Sequence, residues 1–258
     1  MGPEVNYMAN RFMRHLQNGW HASVQLAGVN YPATSVDVLK PSKGELASLH
    51  IPPLRTAVVA HYLYFHARPF FASINQGIAN AVKQVKSLHA RCPQQQFVMM
   101  GYSQGAIVVS QAGDRLQDVR VDDPAADYPQ AVGATLLLAD PDRGQPGTDP
   151  FMEHRGSAGW RGKGIRAYLH ASPPGPESNY TMSVCDAHDI ICDFSLWRMR
   201  KDRTRNHDVE VHKNYLTRRR GLLDGAVDRM WTFEFQCIPC EMKRQTGRRT
   251  AMLRADAP

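Results

Sequence analysis

The chain has 258 residues, a length that fits one α/β domain or two small ones. Hydrophobic residues make up 43% and charged residues 21%, which excludes a disordered chain and predicts an ordinary globular core. The net charge of +7 favours contact with anionic surfaces such as cell-wall polymers or phospholipid head groups, but no basic patch is interleaved with aromatics, so nucleic-acid binding is not expected.

In chain order, Val5, Met8, Ala9, Phe12 and Leu16 recur at helical spacing, and Gly19 is placed to end that helix. This opening is polar and amphipathic, unlike a signal peptide. Residues 24–31 alternate loosely and stop at Pro32, the pattern of a strand. Residues 34–56, rich in Ser, Pro and Lys, read as loop. Residues 57–71 are the most apolar later stretch, but His61, His66 and Arg68 interrupt them and they are too short to span a membrane. They read as core in preference to a lipid-facing patch, and no transmembrane segment is expected. Ser73-x-x-Gln76 has the form of a capping box, and Ile74, Ile78, Val82, Val85 and Leu88 make one apolar stripe, which predicts a helix leading to Cys92-Pro93.

Phe97-Val98-Met99-Met100 then runs into Gly101-Tyr102-Ser103-Gln104-Gly105, with Ile107, Val108, Ala112 and Leu116 following at helical spacing. Strand, sharp turn and helix are the context a nucleophile elbow requires. Ser103 must expose its hydroxyl on a tight turn, and Gly101 and Gly105 leave room where a side chain would strike a neighbour. The backbone N–H of Gln104, at the start of the helix, points where an oxyanion would form. A serine of this kind needs an acid and then a base downstream. The chain offers Asp186, Asp189 and Asp193 as acids, and His188, His207 and His212 as bases.

Residues 132–139 are an apolar run bounded by Pro129 and Asp140-Pro141 and read as a buried strand. Residues 142–163 read as Gly/Pro-rich loop, and residues 164–171, with Ile165, Ala167 and Leu169 apolar, as a further strand. Strands alternating with helices predict an α/β fold with a mostly parallel sheet covered on both faces. The domain is expected to span residues 1–232. Residues 233–258 read as a basic tail outside the core, and much of the positive charge lies in Arg218-Arg219-Arg220 and between Lys243 and Arg249. Cys237-x-x-Cys240 has the spacing of half a zinc site or of a redox pair, but no second Cys/His pair accompanies it and no thioredoxin-like context surrounds it, so no metal site is expected.

Five pieces in order, Val29-Asn30-Tyr31-Pro32-Ala33, Cys92-Pro93, Gly101-Tyr102-Ser103-Gln104-Gly105-Ala106, Cys-x3-Asp-x2-Cys at 185–192 and His212-x-x-Tyr215, resemble the cutinase family of serine esterases over most of residues 5–216. The resemblance, to actinobacterial or phage members in particular, implies a three-layer α/β/α hydrolase fold. It implies Ser103 as nucleophile, Asp189 as the orienting acid, His212 as general base and a Cys185–Cys192 disulfide holding the acid loop. It also implies an acyl-enzyme, no metal or organic cofactor, a monomer, and a lipid, polyester or cell-wall ester as substrate. Relatives carry Gly where His188 stands. They also open with a strand ending in Arg-Gly-Thr or Arg-Gly-Ser, which supplies a second oxyanion donor and whose upstream cysteine pairs with the equivalent of Cys92. No such segment precedes the first helix here, so the expectation is a late start, with secretion or envelope localisation if a signal peptide lies upstream. Two other readings stand beside the esterase: a catalytically impaired binding or envelope protein on the same fold, and an acyltransferase.

Overall fold

A computed structural model of the chain describes residues 2–20, 23–33, 68–93, 95–122, 131–144, 149–151, 164–165, 181–195, 198 and 201–232. In order these form helix α1 (Pro3–Trp20), helix α2 (Arg68–Arg91), strand β1 (Phe97–Tyr102), helix α3 (Gln104–Asp122) and strands β2 (Val132–Leu138), β3 (Asp149–Phe151) and β4 (Thr181–Val184). Helices α4 (Asp202–Lys213), α5 (Tyr215–Arg218) and α6 (Arg220–Met230) follow. The sheet runs β1-β2-β4-β3 and every pair in it is parallel. Among the described residues no helix is long and apolar enough to cross a membrane.

The pleat of β1 and β2 divides the core into two layers. On one face Ala134, Leu136 and Leu138 of β2 join Met182 and Val184 of β4, covered by Val5, Met8 and Phe12 of α1 and by Leu222, Leu223 and Met230 of α6. On the other, Phe97 and Met99 of β1 meet Ile74, Ile78 and Val85 of α2 and Ile107, Val108 and Leu116 of α3. The arrangement is therefore α/β/α around a parallel sheet. A charged seam also joins α1 to α6. Arg11 holds both carboxylate oxygens of Asp228 at 2.7–2.9 Å, His15 Nε2 lies 2.8 Å from Asp228, and Tyr7 Oη donates to Asp224 at 2.5 Å.

Several elements differ from their sequence reading. Residues 24–31 form no ladder with any described strand, and most of their side chains are exposed. Alternation alone specifies no partner, and an extended segment without one remains an exposed connection. The helix expected from Ser73 begins at Arg68, with Pro69 in its first turn, where a missing N–H costs nothing. Ser73 thus lies inside the helix, where its Oγ donates to Pro32 O at 2.5 Å in place of capping. Gly19 lies within the last turn of α1. A Cβ there would sit 2.8 Å from the Trp231 ring, so the glycine serves close packing. Inside the expected loop 142–163, Asp149–Phe151 forms a short edge strand, a place where Pro150 is tolerated. Strand β4 carries no apolar alternation, since Thr181 and Ser183 are buried with Met182 and Val184. The proposed loop 34–56 and the basic tail 233–258 with Cys237 and Cys240 lie outside the described residues. So do residues 57–67 of the apolar stretch, and residues 166–171 of the strand read at 164–171.

The glycines of the elbow are fixed by backbone contact. A Cβ on Gly101 would stand 2.2 Å from the Gly105 carbonyl oxygen, which no side-chain movement relieves. Gly101→Ala is expected to cost about 3 kcal/mol and to lower Tm by on the order of 10 °C. Gly19→Ala meets only the edge of a ring and should cost less, and thermal unfolding of the two variants side by side checks the ranking.

Candidate active site

Strand β1 ends at Tyr102 and α3 begins at Gln104, which leaves Ser103 alone on the turn with φ 53°. That left-handed backbone costs a non-glycine residue about 1–2 kcal/mol and is held by the surrounding bonds. The Ser103 N–H donates to Leu138 O at 2.8 Å, extending the β1–β2 ladder, and its carbonyl accepts from Ala106 N at 2.9 Å. Gln104 is the first residue of α3, and N–H groups of a helix's first turn have no acceptor within the helix. The Gln104 side chain is fixed as well, with Nε2 donating to Phe70 O at 3.1 Å.

His212 lies in the last turn of α4, which stops at Asn214. Its Nε2 is 3.0 Å from Ser103 Oγ, and its Nδ1 is 3.0 and 3.1 Å from the two carboxylate oxygens of Asp189. Ser103, His212 and Asp189 are exposed by 6%, 2% and 0%. An ionised carboxylate only accepts, so Nδ1 carries the imidazole proton and Nε2 is left to accept from the serine hydroxyl. The Tyr102 ring stacks on the imidazole at 5.1 Å and 19°, and its hydroxyl donates to the His212 carbonyl.

Asp189 sits in a loop closed by the Cys185–Cys192 disulfide, whose Cα atoms are 5.9 Å apart. Its carboxylate accepts from Ile191 N at 2.6 Å, Cys192 N at 3.3 Å and Tyr215 Oη at 2.7 Å. Burial pushes this carboxyl up, but the His212 charge and hydrogen bond, with those from Tyr215 and Ile191, outweigh it and hold it below the ordinary range. Such a group stabilises the fold above the unfolded carboxyl value, and the gain is lost as pH falls through its own lower value. Beneath the loop, the buried Arg143 guanidinium donates to Ser183 O at 2.5 Å and Ser183 Oγ at 3.2 Å. Burial lowers its pKa, while nearby Asp140 acts to keep it charged.

The rival acids and bases are placed elsewhere. Asp186 pairs with Arg219 at 2.5 Å. Asp193 accepts from His188 N at 2.7 Å, and the half-exposed His188 side chain contacts Arg198. His207 lies 3.3 Å from Asp208. His188 takes φ 72°, the left-handed conformation that glycine adopts without strain. Two tyrosines, Tyr102 and Tyr215, belong to the site although sequence reasoning gave them no role there. An aromatic on β1 and one three residues after His212 were the available signals. Among the described residues no group of three or more His, Cys, Asp or Glu is placed to hold a metal ion.

Asp193 behaves oppositely to Asp189. Burial raises it to about 6, only partly opposed by the His188 N–H and the Arg198 charge. Between an unfolded carboxyl near about 3.9 and that value, the folded chain keeps a proton the unfolded chain has released, so this contribution to stability falls as pH rises. Asp193→Asn should therefore raise Tm at pH 7.5, by on the order of 3 °C, and leave it unchanged at pH 4. Melting curves at the two pH values test this, and equal shifts at both would refute it.

A family model described as Cutinase matches residues 55–219, more than half of the chain. Solved structures that resemble it include a cutinase-like protein from Cryptococcus sp., 22% identical over 57% of this chain and 70% of that one, with a TM-score of 0.38. Two others are the catalytic core domain of acetyl xylan esterase from Trichoderma reesei (21% identical, 62% and 72% covered, TM-score 0.38) and lysin B from Mycobacteriophage D29 (18% identical, 65% and 73% covered, TM-score 0.35). No curated protein matches. On the strength of the family match, this chain belongs to the cutinase family of carboxylic ester hydrolases.

Proposed function

We propose that the chain hydrolyses esters with an apolar acyl part through Ser103, His212 and Asp189 and a covalent acyl-enzyme. The observation that carries this reading is the unbroken hydrogen-bonded line from Ser103 Oγ through His212 to a fully buried Asp189. Its open end faces a cleft of about 430 Å³ whose walls include Val5, Val29, Tyr31, Met100 and Val109 beside Ser103 and His212. A cleft of that size and lining suits an alkyl or acyl chain. These features favour lipid, polyester or envelope esters over small charged metabolites. The Cys185–Cys192 disulfide favours an oxidising, extracytoplasmic setting.

In this mechanism Ser103 Oγ attacks the ester carbonyl carbon as its proton passes to His212 Nε2, and Asp189 stabilises the imidazolium through Nδ1–H. The carbonyl oxygen gains negative charge and is met by the Gln104 N–H. Collapse breaks the ester C–O bond, His212 returns the proton to the departing alkoxide, and the alcohol leaves. Water then repeats the sequence on the acyl-enzyme, releasing the acid and restoring Ser103.

The first test is labelling of the purified chain with a fluorophosphonate probe. Labelling should occur and vanish in Ser103→Ala, and Asp189→Asn should retain the fold while lowering turnover on a medium-chain nitrophenyl ester by about a thousandfold or more. A folded chain that is not labelled would count against the hydrolase reading.

A further inference from the structure

Tyr215 lies outside the Ser–His–Asp line but is completely buried against it. Its Oη accepts the Asp186 N–H at 2.9 Å. A phenol has one proton, and with that side of the oxygen taken up by a donor, the proton is directed at Asp189 Oδ2, 2.7 Å away. Cys192 Sγ is farther off at 3.5 Å. One hydroxyl therefore joins three parts of the site: the start of the acid loop at Asp186, the acid itself, and the chain just after the base. The Asp186 peptide that orients it is anchored on both sides, by the disulfide at Cys185 and by the Arg219 ion pair. The ring is also held, edge-on to Tyr102 at 6.1 Å and 72°, and Tyr102 in turn stacks on His212.

We infer that Tyr215 is a positioning residue of the His212–Asp189 pair: its hydroxyl fixes the rotation of the Asp189 carboxylate and moderates its pull on the imidazolium. Asp189 Oδ1 is already held by the Ile191 and Cys192 N–H groups. His212 Nδ1 reaches both oxygens and shares Oδ2 with Tyr215, so Tyr215 moderates the charge His212 meets on that side. Removing the hydroxyl leaves a more basic carboxylate that holds the imidazolium more tightly. The free base then persists only at higher pH, and the acid limb of the rate profile moves upward. The other charged groups around Tyr215 are Asp186, Arg143 and Arg219, and they remain in place in the variant.

The role in turnover rests on the esterase reading, so the test includes a readout that needs no turnover. Tyr215→Phe keeps the ring and removes one oxygen. With a soluble nitrophenyl ester it should lower kcat by about tenfold with KM unchanged, and shift the acid limb to higher pH. The proton resonance of His212 Nδ1–H in its bond to Asp189 should also move. Fluorotyrosine placed at 215 keeps both hydrogen bonds and the fold with a stronger donor, and should shift the acid limb to lower pH. A chain that shows no esterase activity but a displaced resonance would overturn the hydrolase reading and uphold the positioning role. An unmoved resonance and acid limb in Tyr215→Phe, even with activity reduced in step with stability, would overturn the positioning role and leave the hydrolase reading standing.

Discussion

A carboxylate with no solvent exposure must have its charge met entirely by protein, and much of this site follows from that need at Asp189. Backbone N–H groups of Ile191 and Cys192, the Tyr215 hydroxyl and the His212 ring converge on its two oxygens. Those donors come from the loop itself, from the end of α4 and from α5, so the Asp189 loop and the helices carrying His212 and Tyr215 are held to one geometry. The disulfide confines the loop to a short closed ring, which limits the conformations from which the N–H groups could drift away.

The serine on the elbow is positioned by a different kind of constraint. Ser103 is forced into the left-handed region between a strand and a helix, and the strain is borne by the β1–β2 ladder and the tight contact of Gly101 with Gly105. The sheet supplies rigidity on one side of the Ser103–His212–Asp189 line and the disulfide loop supplies it on the other. His212 is the joint between them. The imidazole is pinned from below by Asp189 and from the side by the stacked Tyr102 ring, so it has little freedom except along the proton path.

Neighbouring carboxylates meet opposite fates. Asp189, supplied with donors, stays ionised although fully buried, whereas Asp193, with fewer, is raised to about 6. The difference lies in the number and geometry of hydrogen bonds to the charged form rather than in depth. The contacts differ accordingly: Asp189 faces the His212 ring, and Asp193 instead accepts the His188 N–H at the turn.

The sequence by itself determined the parts whose chemistry is local. Gly-x-Ser-x-Gly between an apolar run and a periodic segment dictates an elbow, because the spacing of the glycines answers a steric need within five residues. The apolar stripes of α1 and α2 and the run of β2 were legible for the same reason. Segments whose state depends on a distant partner were not. Residues 24–31 look like a strand but have no ladder among the described residues, and β4 is a strand without looking like one, because its buried Thr181 and Ser183 gain their place from the sheet and Ser183 also from Arg143. The residues alone offered three acids and three bases, and the family resemblance singled out Asp189 and His212. Only the tertiary structure brought Asp189 and His212 into line with Ser103, 86 and 109 residues away along the chain, and turned Tyr215 onto the acid, since hydrogen bonds of about 3 Å are decided by packing and not by spacing.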